Sequence, residues 1–281
     1  MIPRVSLHRV SSAGGRLRTL TGEEFRPLRY SGFKYGDAAA AEHYASGLSH
    51  RLWDSGLLSW PDRPVLTTAP YKSLPTASYE LALHVREHLN AGRPAGSAPV
   101  EIVPLHLRHV DAGNYSAQSQ DERQQIMDEA GLHLGAGDVT GRQVVLVDDA
   151  VVSGTAESRA VEILLQAGAS GVVGAYAVEV DRASALAGPE IEDALNHAYV
   201  KDLGALLEIY TEPSAVLNIR TVKYVLDWPD PAAVERFFER IHGPHLIAFH
   251  KAVLQTGDAF AASYPAGVAQ LRAVVSRRGL E

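Results

Sequence analysis

RQVVLVDDAVVSGTAESRAV, residues 142–161, is the stretch whose reading decides the fold. Val144 to Val147 form a continuous apolar run, two acids follow, and a small-residue segment comes next. An apolar run without polar alternation reads as a strand buried on both faces, as in a parallel sheet. Asp148 and Asp149 then stand where that strand ends. TAESRAVEILLQAG carries Val161, Leu164 and Leu165 as an apolar stripe and stops near Gly168, which reads as a helix. GVVGAYAVEV, 171–180, is the next buried strand.

The same unit recurs upstream. DAAAAEHYASGLSHRLW, 37–53, is a helix pattern with Asp37 as its N-cap. PVLTTAP, 64–70, is a short strand pattern. SLPTASYELALHVREHLNAG, 73–92, is helical, with Ala77, Leu81, Val85 and Leu89 on one face. APVEIVPLHL, 98–107, is the next strand candidate. Strand, helix and strand in repetition predict an α/β fold with a doubly wound, mainly parallel sheet. Ligands bind such sheets beyond the carboxyl ends of the strands.

After about residue 183 the pattern changes. DPAAVERFFERIHG has Asp230 and Pro231 at its start, Val234, Phe237, Phe238 and Ile241 on one face, and Gly243 as a stop. PHLIAFHKAVLQTG and PAGVAQLRAVVSRRG also read as helices. The expected organisation is an N-terminal hood or strand segment over 1–36, a core over 37–182, and an all-helical C-terminal extension over 183–281.

The whole chain narrows the function. Its 281 residues are enough for a sizeable core. A net charge of −7 argues against a general nucleic-acid binder, which needs a basic face. With no cysteine, disulfides, thiolate nucleophiles and Cys-based zinc sites are excluded, and the cytoplasm is the expected compartment. The start has no signal-peptide core. No run of about 18 apolar residues predicts a membrane span.

Two adjacent carboxylates accept only, so they suit a pair of sugar hydroxyls, directly or through Mg²⁺ and its waters. The loop after them opens a helix, whose first amides lack internal partners and carry the positive end of the dipole. Ser153 and Thr155 add hydroxyl donors. Together these make a phosphate cradle. Taken singly, the acids are equally a strand end and Ser153 equally a helix cap. Taken in order, they ask for a ribose 5-phosphate.

VVLVDDAVVSGTA resembles the phosphoribosyl-pyrophosphate (PRPP) motif of type I phosphoribosyltransferases. The resemblance implies that Asp148 and Asp149 bind the ribose hydroxyls and a partly water-bridged Mg²⁺. It also implies that Val152, Ser153, Gly154, Thr155 and Ala156 wrap the 5-phosphate. TTAPYKSLPTA is similar to the pyrophosphate loop of orotate phosphoribosyltransferases, which places Tyr71, Lys72 and Ser73 on pyrophosphate. Ser73 departs from the usual glycine there. RHVDAGNYSAQSQDERQQ stands where the family carries its mobile loop, with Arg108, His109 and Arg123 as its cations. Its SQDER piece looks like a segment of competence-factor-type relatives. YAVEVDR ends in Asp181–Arg182, as an orotate-enzyme strand does, which implies that Arg182 contacts the acceptor. YSGFKYGD offers Lys34 as the hood contact.

The implied chemistry is attack of an acceptor on C1 of PRPP with loss of pyrophosphate, Lys72 and a mobile-loop arginine neutralising the leaving group. Purine-salvage relatives place an acid three residues after the second acid of the pair. Val152 stands there, which points to a non-purine or specialised-metabolite acceptor and leaves proton removal to another group, such as His109. The alternative is a PRPP-binding regulator without catalysis. A dinucleotide fold lacks its glycine fingerprint, and a haloacid-type phosphatase would need an acid where Ala150 stands. The expected partners are small molecules and a second copy of the chain in a homodimer. The tail is expected to cap the acceptor site, to form that dimer, or both.

Overall fold

The computed structural model describes residues 2–13, 16–20, 25–107, 132–187 and 190–280. The chain divides into two compact units, one of Met1–Arg26, Ala41–Tyr71 and Ser78–Ala194, the other of Pro27–Ala40, Lys72–Ala77 and Leu195–Glu281.

The first unit is built on a six-stranded sheet. Its strands are β1 (Arg4–Ala13), β2 (Arg16–Thr19), β3 (Val65–Thr68), β4 (Glu101–Ile102), β7 (Gln143–Val151) and β8 (Gly171–Val180), in the order β2-β1-β8-β7-β3-β4. Only the β1–β2 pair is antiparallel. The doubly wound, mainly parallel α/β sheet is therefore present. Helices α2 (Ala38–Asp54), α3 (Ala77–Gly92) and α4 (Thr155–Gln166) accompany it. Val65, Val144, Leu146, Val172, Ala160 and Leu164 pack into one core cluster between sheet and helix. The N-terminal segment contributes two strands to this sheet. Val5 and Leu7 are buried and alternate with half-buried Arg4 and Ser6, a period-two pattern that gives way at His8 and Val10, which are both buried.

The crossovers fix where a ligand can sit. From β3 the chain passes through α3 to β4, and from β7 through α4 to β8, on the opposite side. The gap between the carboxyl ends of β3 and β7 is thus the switch point of the sheet.

Two strand readings are corrected. The 98–107 run is not one strand. β4 pairs with β3, while β5 (Leu105–His106) leaves the main sheet and pairs antiparallel with β6 (His133–Leu134). Pro104 lies between them and has no amide to donate to a ladder. The run at 144–147 does not end at the acids. β7 continues to Val151 because β8 keeps supplying partners, from Asp148↔Tyr176 to Val151↔Glu179.

The second unit is helical. It contains α1 (Pro27–Lys34), the start of α2, residues 72–77, and α7 (Leu203–Tyr210), α8 (Ile219–Leu226), α9 (Pro231–Arg240), α10 (Gly243–Thr256), α11 (Asp258–Ser263) and α12 (Pro265–Arg277). Two shorter helices, α5 (Arg182–Ala187) and α6 (Glu190–Asn196), precede α7. Caps explain the starts: Asp202, Asn218 and Asp230 each accept a first-turn amide of the helix they open. Asp37 accepts from Ala40 at 3.0 Å, as its N-cap role requires. Gly243 does not stop α9, which ends at Arg240; it is the first residue of α10, followed by Pro244. Tyr210, Phe237, Phe238 and Phe249 form the aromatic centre, with the Phe238 and Phe249 rings 5.3 Å apart. No described helix is long and apolar enough to cross a membrane.

Candidate functional site

Two ladders of unequal length expose the acids. On the β3 side, pairing stops at Thr68↔Val147. On the β8 side it runs on past Asp148. The segment from Asp148 onward therefore has one flank paired and the other opening into the switch-point gap. Adjacent strand residues face opposite sides of a sheet. Asp148 shares the face of its register partner Tyr176, whose phenol donates to Glu157 of α4 at 2.6 Å. Asp149 faces the other side and is 7% exposed. The Asp149 amide donates to Asp148 Oδ1 at 2.9 Å, so the pair is coupled through the backbone.

The loop after β7 has the form a phosphate cradle needs. Gly154 is the N-cap of α4 with φ 78° and ψ 6°, and it brings no capping side chain to the first turn. An L-residue rarely adopts that conformation, which glycine reaches without penalty. Ser153 is exposed and Thr155 buried, with their hydroxyls 3.1 Å apart. Val152, half-buried, and Ala156 complete the 152–156 segment.

Under this loop lies a set of charges that the sequence reading did not single out. Glu157, in the first turn of α4, pairs with Arg4 of β1, whose Nε lies 2.8 Å from Oε1. Arg4 also reaches Glu179 at 3.5 Å, and Ser6 donates to Glu179 at 2.8 Å. The hydrogen bond to Glu157 raises the Arg4 pKa further above its ordinary value, against an opposing effect of burial. Burial, and then the bond to Glu157, push the Tyr176 phenol up, so it remains a neutral donor. The signal for Glu157 was its place just past the loop. Arg4 had none, being 153 residues away.

Tyr71 follows β3 and is fixed by the β5 strand. Its amide donates to Leu105 O at 3.2 Å, and its carbonyl accepts from Leu107 N at 3.0 Å and His106 Nδ1 at 3.1 Å. Desolvation, with a smaller contribution from Tyr79, pushes the Tyr71 phenol up to about 12. The ribbon of β5 and β6 leads into residues 108–131. The expectations on Arg108, His109 and Arg123 fall there, outside the described residues.

Lys72 and Ser73 belong to the second unit. Lys72 is exposed and has no ion pair among the described residues. Ser73 Oγ lies 3.0 Å from Thr256 Oγ1, and Pro75 O accepts from Ile219 N at 3.0 Å. Lys34 ends α1, with its ammonium 6.0 Å from the Tyr30 ring centroid and its carbonyl accepting from Asn218 Nδ2 at 3.1 Å. In the first unit, Asp181 caps α5 by accepting from Ala183 and Ser184 amides, and Arg182 is the exposed first residue of that helix.

A family model described as PRTase ComF-like matches residues 3–254. The chain belongs to the ComF-like phosphoribosyltransferase family. Among solved structures, a purine phosphoribosyltransferase from Pyrococcus horikoshii Ot3 is similar over 50% of this chain and 82% of its own, at 13% identity and a TM-score of 0.30. No curated protein matches. For a ComF-like chain, the ensemble at the β7 end offers two carboxylates and a run of small residues ahead of a helix whose N-cap Gly154 brings no side chain, while the Thr155 amide donates to Ser153 Oγ at 3.4 Å. Among the described residues, no group of three or more His, Cys, Asp or Glu is gathered as a metal cage. Asp148 and Asp149 face opposite sides of β7, so the residues present offer Mg²⁺ a carboxylate on either face, and an ion that keeps several waters and is shared with substrate phosphates needs only one.

Proposed function

We propose that this ComF-like chain is a phosphoribosyltransferase that moves the 5-phosphoribosyl group of PRPP to a non-purine or specialised-metabolite acceptor and releases pyrophosphate. The observation that carries the reading is the unequal length of the two ladders flanking β7. It leaves Asp148 and Asp149 beside the switch-point gap, with the Val152–Ala156 loop opening from the same strand. Carboxylates for a ribose and a cradle for its 5-phosphate are then supplied by a single stretch of chain.

In this reading Asp148 and Asp149 orient the ribose, and the first-turn amides of α4 with the Ser153 and Thr155 hydroxyls hold the phosphate. Tyr71, Lys72 and Ser73 take the pyrophosphate, where the Lys72 ammonium offsets developing charge. Arg108, His109 and Arg123 would close over the centre and exclude water. Arg182 and Lys34 are the acceptor contacts. When bound to the acid pair and the phosphates, Mg²⁺ supplies further charge neutralisation on the leaving group. The C1–O bond to pyrophosphate breaks with its electron pair, the acceptor lone pair forms the new bond to C1, and the acceptor proton leaves to a base. Val152 offers no base, which favours an acceptor that is anionic or already nucleophilic.

The test is calorimetric titration of the full chain with PRPP and Mg²⁺, beside the Asp148→Asn/Asp149→Asn variant, followed by pyrophosphate-release assays with a panel of acceptors. Binding lost in the variant, together with release by the wild type, supports the enzyme. Binding without release for any acceptor would favour a PRPP-responsive regulator. A folded wild type that ignores PRPP sinks both.

A further inference from the structure

Ser73 occupies a position where the resembling pyrophosphate loops carry glycine, and its hydroxyl has a defined use here. It lies 3.0 Å from the hydroxyl of Thr256, the last residue of α10. Thr256 is 7% exposed and places its own hydroxyl 2.7 Å from Ala252 O. A threonine hydroxyl has one proton. That proton is committed to the Ala252 carbonyl, so Ser73 is the donor and Thr256 the acceptor. Two residues further on, the Pro75 carbonyl accepts from Ile219 N at the start of α8. Residues 72–77 are thus tied at two points to the helical extension, and they cluster with it in the second unit.

A glycine at 73 would leave the loop free to change its backbone on binding. A serine hydrogen-bonded to a buried acceptor restricts that freedom before any ligand arrives, and a preordered loop loses less entropy on binding. We infer that Thr256 is a positioning residue for Lys72 and Ser73, so that the helical extension orders the segment proposed to take pyrophosphate. The inference rests on the proposed PRPP reading and adds to it a job for α10 and α8.

The test uses the full chain and three probes with Mg²⁺: PRPP, pyrophosphate and ribose 5-phosphate. Thr256→Val removes the acceptor for Ser73, Ser73→Ala removes the donor, and Thr256→Ser keeps the hydroxyl. Both deletions are expected to weaken PRPP and pyrophosphate about fivefold to tenfold, as for one lost hydrogen bond. Ribose 5-phosphate affinity should stay at the wild-type value, and Thr256→Ser should restore pyrophosphate binding. If PRPP binds the wild type and both deletions equally, the positioning role is wrong while the PRPP site stands. If ribose 5-phosphate weakens in parallel with pyrophosphate, the effect is a general loss of structure and the role is also wrong. If the folded wild type binds none of the three probes, the PRPP reading itself fails and the inference goes with it. Ser73→Ala acts on a half-buried loop position, so the question remains decidable if Thr256→Val does not fold.

Discussion

Arg4 clamps Glu157 in a two-point contact: Nε meets Oε1 at 2.8 Å and Nη2 meets Oε2. The pair joins the first strand of the sheet to the first turn of α4, directly beneath Gly154. A carboxylate in that turn favours the helix dipole but opposes an incoming phosphate. The guanidinium cancels that opposition. Arg4→Met should therefore weaken ribose 5-phosphate binding by roughly tenfold and destabilise the chain by about 1–3 kcal/mol, because a largely buried carboxylate loses its charged partner. Arg4→Met/Glu157→Gln should recover most of the affinity. Calorimetry on the four members of this cycle checks it. Equal losses in the single and double variants would show that Arg4 acts through the strand alone.

Gly154 is held at φ 78°, and a Cβ there would stand 3.3 Å from Arg4 Nη2 and 3.6 Å from Glu157 Oε2. Gly154→Ala thus combines left-handed strain of about 1–2 kcal/mol with a crowded ion pair. The expected result is a melting point lower by roughly 2–8 °C, with phosphate affinity falling by about tenfold or more. Thermal unfolding and ribose 5-phosphate titration would show whether both change together. A loss of stability with unchanged affinity would separate this loop from phosphate binding.

Much of the core was legible from local pattern, and what failed depended on distant partners. The apolar run at 144–147 and the helix after the 152–156 loop stand where local pattern placed them, and Leu164 is buried, but Leu165 of the expected stripe is 50% exposed. How far β7 runs past Val147 is decided by β8, which no local pattern around Asp148 reports. Pro104 was visible as a residue without an amide, and it could have warned that 98–107 would break. Arg4 looked like any strand arginine, because its partner lies on another element far along the chain. Ser73 was visible as a departure from glycine, but its acceptor on α10 was not.

The Tyr71 phenol gives a pH dependence. Desolvation, more than its neighbour Tyr79, raises its pKa from 10.0 to about 12. A group whose folded pKa is raised stabilises the fold fully below its unfolded pKa, and that stability is lost as pH rises through the folded one. The Tyr71 contribution should therefore be intact at pH 9 and lost between about pH 10 and 12. Tyr199 is also raised to about 12, chiefly because Glu208 accepts its proton. Tyr71→Phe should make the alkaline fall in stability shallower than in the wild type, while Tyr199 titrates unchanged. Denaturant midpoints measured across this range, with phenolate absorbance in parallel, check it. An identical slope in both proteins would mean that Tyr71 titrates as a solvated phenol.

Asn218 links the second unit's N-terminal piece to its helical extension by two opposite uses of one amide. Its oxygen accepts from Thr221 N at 3.0 Å and caps α8, while its nitrogen donates to Lys34 O at 3.1 Å. The neighbouring contact leaves no room for adjustment, since Gly36 has φ 97° and a Cβ there would lie 2.1 Å from Val216 O. Asn218→Ala loses the cap and leaves the half-buried Lys34 carbonyl without its side-chain donor, for an expected cost of about 1–3 kcal/mol. Asn218→Asp keeps the cap but replaces the donor with a second acceptor facing Lys34 O, at a position only 3% exposed. It should therefore destabilise the chain at neutral pH at least as much as alanine does, and partly recover as acid protonates the carboxyl and restores a donor. Urea midpoints for both variants at neutral and mildly acidic pH would decide. An aspartate variant as stable as the wild type at neutral pH would mean that only the cap matters, and that the segment ending at Lys34 is held by its other bonds.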